Sequence, residues 1–334
     1  MSKFLSLLIS FLMCHSLVFS QNEKQKINNS FIAFAIAEKD LLPESIAYDP
    51  VHRDFFMGST RKGKVIKISE DGTSSEYITP KSNGLWMTVG LKIDAQRRVL
   101  WVCSSGGENL EGYNLKDDSE GRPAGVFKYD LDSGKLINKF TLEDKGGIHF
   151  FNDLVIAKNG DVYITHMFKE HAIYKISSSN NTLQKYNTSS IVKYPNGITL
   201  SNDESKLYIA HAEGIAYIEL KNGIAKEVKV PSNLKIKHRE SIDGLYFYKN
   251  SLIGVQSDIG TIQQFHLNEA KDEIVSTELL EVNHPMMDHP TTGEIINDHF
   301  YYIANAQFGS FSEDGSLYPM EQLYEPIILK VKLK

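Results

Sequence analysis

From Phe31 onward, short apolar runs alternate with tight polar turns. FFMGS, LWVCS, VYITH, LYIAH, LIGVQ and YYIAN recur along the chain. Each follows a short apolar run and a turn rich in Asp, Asn, Gly or Arg, and precedes a third alternating run. Period-two alternation bounded by such turns predicts strands joined as hairpins. The units open at Pro43, Gly90, Phe151, Pro195, Ile242 and Pro290, separated by 47, 61, 44, 47 and 48 residues. A fourth run (SEYITP, INKFTL, TLQKYN, AKEVKV, VSTELL) follows in five of the six units. Four strands at this period predict an all-β fold, a six-bladed β-propeller with four-stranded antiparallel blades. The second unit is lengthened by a polar insertion, Glu108 to Arg122. The last unit lacks a fourth strand, while FIAFAIA, Phe31 to Ala37, is left over at the other end. An N-terminal strand is therefore expected to complete the last blade, closing the ring and removing a sheet edge. No linker interrupts the repeat, which weighs against two β domains or a sandwich.

The first residues follow a different pattern. Met1 to Ser20 carries one Lys, an apolar run and short residues near its end. That is the layout of a secretory signal peptide, with cleavage expected after Ser20. A retained N-terminal anchor is the alternative. Residues 21–30 read as a polar linker and 31–334 as the propeller, secreted or periplasmic once the leader is removed. The formal net charge of −6 leaves no basic footprint for nucleic acid. No other apolar run is long enough to span a membrane. Of two cysteines, only Cys103 lies outside the leader, so no internal disulfide is expected and the core must hold the fold. A monomer is the expected state.

Propeller geometry gives the repeat chemical meaning. The innermost strand of each blade lines the channel, and its first residues lie at one mouth. The next strand runs back, so its last residues return to that mouth. Unit starts bring Glu44, Asn152 with Asp153, Asn196 and Asp243; units two and six bring Gly90 and Thr291/Thr292. Second-strand ends bring Ser59, Ser104, His166, His211, Gln256 and Asn305. Two carboxylates and two amides are hard oxygen donors that suit one divalent cation. Calcium is the first expectation, with magnesium, manganese or zinc as alternatives. The same residue types also form turns and cap their own backbone. It is their coincidence in repeat phase that favours a site.

PES at Pro43, FND at Phe151, PNG at Pro195 and IDG at Ile242 resemble the metal-site motifs of the senescence marker protein (regucalcin) and gluconolactonase family, one motif per blade in matching order. The resemblance implies a six-bladed propeller with a divalent cation in its channel, and hydrolysis of a small-molecule lactone or ester. It makes Glu44, Asn196 and Asp243 metal ligands, places Asn152 beside the metal, and offers Asp243 as the base. Ser45 stands where the family usually has Gly. His166, His211 and His149 are candidate substrate contacts or bases, and Trp86 a candidate wall of the pocket. Ordinary structural roles are the alternative for each of these four. Two other readings compete with hydrolysis: a non-catalytic secreted propeller with a structural metal, and a metal-free enzyme of the strictosidine-synthase type. The absence of G-x-S-x-G argues against a serine hydrolase.

Overall fold

The computed structural model describes residues 26–113, 121–144, 146–233 and 242–334. The expected leader, and part of the insertion in the second unit, lie outside the described residues. Within them the chain forms 24 strands and no α-helix. Blade 1 comprises β2 (Pro43–Asp49), β3 (Asp54–Ser59), β4 (Lys64–Ile68) and β5 (Ser74–Ile78). Blade 2 comprises β6 (Met87–Asp94), β7 (Val99–Ser105), β8 (Ala124–Asp130) and β9 (Leu136–Leu142). Blade 3 runs from β10 (Phe151–Ile156) through β11 (Val162–His166) and β12 (Ala172–Ile176) to β13 (Leu183–Asn187). Blade 4 runs from β14 (Ile198–Leu200) through β15 (Lys206–His211) and β16 (Gly214–Glu219) to β17 (Ile224–Glu227). Blade 5 runs from β18 (Leu245–Tyr248) through β19 (Ser251–Gln256) and β20 (Thr261–Leu267) to β21 (Ile274–Val282).

Blade 6 has β22 (Gly293–Ile296), β23 (His299–Ile303) and β24 (Ile327–Lys332), and takes β1 (Phe31–Ala35) as its outer strand. β1 lies antiparallel to β24, Phe31 opposite Lys330 and Ala35 opposite Ile327. The expected closure of the ring is thus realised. The end of the stretch read as a linker packs too. Ile27 bridges Val282, and Glu281 accepts the backbone N–H groups of Asn29 and Ser30.

The core lies between blades. Six apolar clusters fill the six blade-to-blade interfaces, each built from side chains of two neighbouring blades. One face of each sheet meets the next, so both faces of the middle strands are buried. That is why β3, β7, β15 and β19 read as nearly unbroken apolar runs. Outer strands carry Lys and Glu at exposed positions, as in LQKYN and IAKE, which discourages edge pairing.

Candidate metal centre

Each motif is a local break in the ladder at the mouth of the channel. Asn196 N–H donates to the Ala210 carbonyl, and Ala210 N–H donates to the Gly197 carbonyl. Two residues thus oppose one, which is a β-bulge. Asp243 and Gly244 face Val255 in the same way. Register shifts mark the same phase in β2, between Pro43 and Ile46, and in β10, between Phe151 and Leu154. A bulge re-aims a side chain that regular alternation would send into the neighbouring blade. Here it frees the first residue of each pair for the channel and leaves the second at the seam between blades. Gly197 needs its missing side chain, since a Cβ there would lie 2.3 Å from the Asp243 carbonyl oxygen and 2.5 Å from the Leu245 nitrogen. Ser45 fills the matching seam position in blade 1 and accepts the Leu91 N–H at 3.1 Å. Asp153 does so in blade 3, accepting the N–H groups of Leu154 and of Ile198 in the next blade.

The first residues of the pairs converge. Glu44, Asn152, Asn196 and Asp243 line one cavity of about 280 Å³, together with Phe150, Met167, Ser257 and Asp258. At the same phase, blade 2 offers Val89, packed with Met87 and Leu110. In blade 6 the Thr291 and Thr292 hydroxyls donate to the Glu44 carbonyl at 2.9 and 2.6 Å, fixing the backbone of that residue. Asn152 turns its Nδ2 to the Met167 sulfur at 3.9 Å. Ser257 Oγ lies 3.1 Å from Asp243 Oδ2 and also bonds the Pro290 carbonyl.

The electrostatics of this mouth are one-sided. Among the described residues, no Lys, Arg or His lines the cavity, which holds three carboxylates. Loss of solvent, then the charges of Asp243 and Asp153, lift Glu44 well above the usual carboxylate range. Asp243 is pushed up to about 7, first by burial and then by Asp153 and Asp258, against hydrogen bonds from Ser257 and Asn196. A divalent cation fits such a donor set: it would replace repulsion by attraction and takes hard oxygen ligands. Among the described residues no three His, Cys, Asp or Glu converge on one metal-sized point, so the set depends on its two amides.

The other candidates stand elsewhere. His166 and His149 line a neighbouring pocket of about 270 Å³ with Asp144, Lys169 and Glu170. His166 Nδ1 faces the Glu170 carbonyl at 2.7 Å and therefore carries the proton there. Its Nε2 lies 3.0 Å from His149 Nδ1, and His149 Nε2 lies 2.6 Å from Asp144 Oδ1. Burial pushes His166 down to about 4. His211 is buried beside Glu227 at 3.1 Å and does not line the cavity. Trp86 packs edge-on to Phe127, centroids 6.2 Å apart, in the interface of blades 1 and 2. The expectation that second-strand ends share the mouth cavity fails for a physical reason. These residues stand one strand away from the channel and tie down connecting segments. Ser59 donates to the Leu41 carbonyl, Ser104 accepts from Trp86 N–H, and Asn305 holds Glu325 and Ile327. Ser257 and Asp258, which do line it, sit one turn beyond β19 in QSDIG; a reading confined to strand ends passes over them.

Residues 42–246 match the model of the SMP-30/gluconolactonase/LRE-like region, and the chain belongs to that family. It is a lactonase-like propeller, and the matched span contains all four motif residues of the cavity. No curated protein sequence matches the chain. Among solved structures, the fold is similar to a gluconolactonase from Xanthomonas campestris, with TM-score 0.61 at 14% identity over 91% of this chain and 89% of that one. The Mala s 1 allergen of Malassezia sympodialis gives TM-score 0.66 at 13% identity, covering 91% and 96%. A calcium-binding regucalcin from Agrobacterium tumefaciens gives 0.58 at 14%, covering 88% and 92%.

Proposed function

We propose that this chain is a secreted or periplasmic hydrolase of lactones or related esters that works with one divalent cation, calcium first, at the mouth of its channel. One observation carries the reading: four oxygen-bearing side chains from four blades meet in one cavity whose lining, among the described residues, holds no basic side chain. Glu44, Asn152, Asn196 and Asp243 would hold the ion. When bound, such an ion polarises a carbonyl oxygen and acidifies water. The chain supplies the rest. The Asp243 carboxylate faces the cavity and can take a proton from an attacking water there. Ser257 steadies the Asp243 carboxyl. Phe150 and Met167 give the cavity an apolar wall against which the carbon frame of a small ester can rest. The modest volume suits a small ring rather than a polymer.

A panel of lactones and esters, assayed with calcium and with chelator, tests this. Chelator-sensitive, calcium-restored hydrolysis supports it. Calcium binding with no hydrolysis across the panel would instead mark a non-catalytic propeller with a structural ion. No binding of calcium, magnesium, manganese or zinc would overturn the site.

A further inference from the structure

Below the mouth, the channel holds a second group of charges that the proposed reaction does not use. Lys92, Tyr246 and Glu294 belong to the inner strands of blades 2, 5 and 6. They stand at one register level: Lys92 faces Trp101, Tyr246 faces Ile253 and Glu294 faces Tyr301 on the adjoining second strands. Each lies three residues beyond the position that turns to the mouth in its own blade. Lys92 Nζ reaches across to 3.6 Å from Glu294 Oε2 and sits 4.8 Å from the centre of the Tyr246 ring. Tyr246 is itself fixed, its hydroxyl accepting the Gly293 N–H at 2.7 Å. Burial would pull the Lys92 ammonium down, but Glu294, Tyr246 and Asp153 together hold it above its ordinary value. Burial raises Glu294, and Lys92 opposes the rise.

A carboxylate taken out of water needs a positive partner within a few ångströms to offset its lost hydration, so Glu294 needs one at its own depth and not only at the mouth. We propose that Lys92 is a built-in cation of the channel, holding the place a second metal ion would take and confining exchangeable cation binding to the mouth. This rests on the reading of the mouth as a cation site. An ammonium on a flexible stem suits the role: it is a compact point charge and cannot dissociate from the protein.

Wild type, Lys92→Met, Lys92→Arg and the double variant Lys92→Met/Glu294→Gln are stripped with chelator and dialysed against calcium chloride. Bound calcium per chain is measured by atomic emission, and melting temperature with and without calcium. The expected result is one calcium for wild type and Lys92→Arg, two for Lys92→Met, and one for the double variant. The melting temperature of Lys92→Met should fall without calcium and recover with it. A purely packing role for Lys92 would lower the melting temperature equally in both conditions and leave the calcium count unchanged; that result overturns the proposal while the mouth site stands. Wild type with no calcium, and Lys92→Met with one that the Glu294→Gln change removes, would overturn the mouth reading and keep the role of Lys92. A Lys92→Met chain that folds in neither condition, while the double variant folds, also overturns the proposal, because calcium then cannot replace the ammonium.

Discussion

At the scale of single residues, the mouth donors are unequal. Asp243 brings a charge and Asn196 a neutral oxygen to the same cavity. Asp243→Ala is expected to abolish calcium binding, whereas Asn196→Ala should weaken it by roughly tenfold, about 1.4 kcal/mol. Calorimetric titration of both variants checks the order. His166 makes a different prediction. Its folded-state value is lowered to about 4 from an ordinary 6.5, so the unfolded chain binds the proton more readily. Stability is therefore unaffected by this group above pH 6.5 and is lost as pH falls from there toward 4, by up to about 3 kcal/mol. Urea unfolding across that range, compared with His166→Asn, should show the wild-type slope flattened in the variant. The sequence showed which oxygens share a phase, because ligand and turn residues repeat with the blade. It could not show which way the histidines turn. That depends on the Glu170 carbonyl and on Asp144, loop groups whose position no periodicity encodes.

The element that makes the site is the bulged start of each inner strand. Its legibility was partial for the same reason. Pro-Asn-Gly and Ile-Asp-Gly announce a turn-like backbone, but the two-against-one pairing with Ala210 or Val255 appears only when the partner strand is in place. The need for Gly197 likewise comes from blade 5, whose backbone would meet any Cβ at 2.3 Å. Gly197→Ala is expected to destabilise the fold by about 1–3 kcal/mol through overpacking. It should also weaken calcium binding, since the same clash pushes Asn196 away from Asp243. Chemical denaturation and a calcium titration on one preparation test both parts. By contrast Gly223 lies in an outer turn with nothing near its Cβ position, and its positive φ of 72° makes its substitution a backbone matter only.

On the scale of the whole molecule, six apolar clusters around a ring explain how the described residues, whose one cysteine is free and buried, hold together with no disulfide among them. The number of blades and the joining of the two ends were readable because each strand run is short, β-rich and bounded by turns. Deleting the chain through Ala35 would strip β24 of its outer partner, leaving only β23 beside it, and expose an apolar edge. The shortened protein is expected to melt lower and to associate, which size-exclusion chromatography with light scattering would register. Phe34 makes the loss worse than one strand of hydrogen bonds, because its ring packs 5.0 Å from Phe55 across the junction with blade 1.

The pairing of β1 with β24 also orders events in time. β1 must stay unpaired until β24, on the far side of the other five blades in sequence, has been made. A product terminated before β24 cannot latch and leaves β1 and β23 without their common partner. Synthesis of β24 thus becomes a condition for closure, and the slowest step of assembly should track this long-range encounter rather than the formation of any one hairpin.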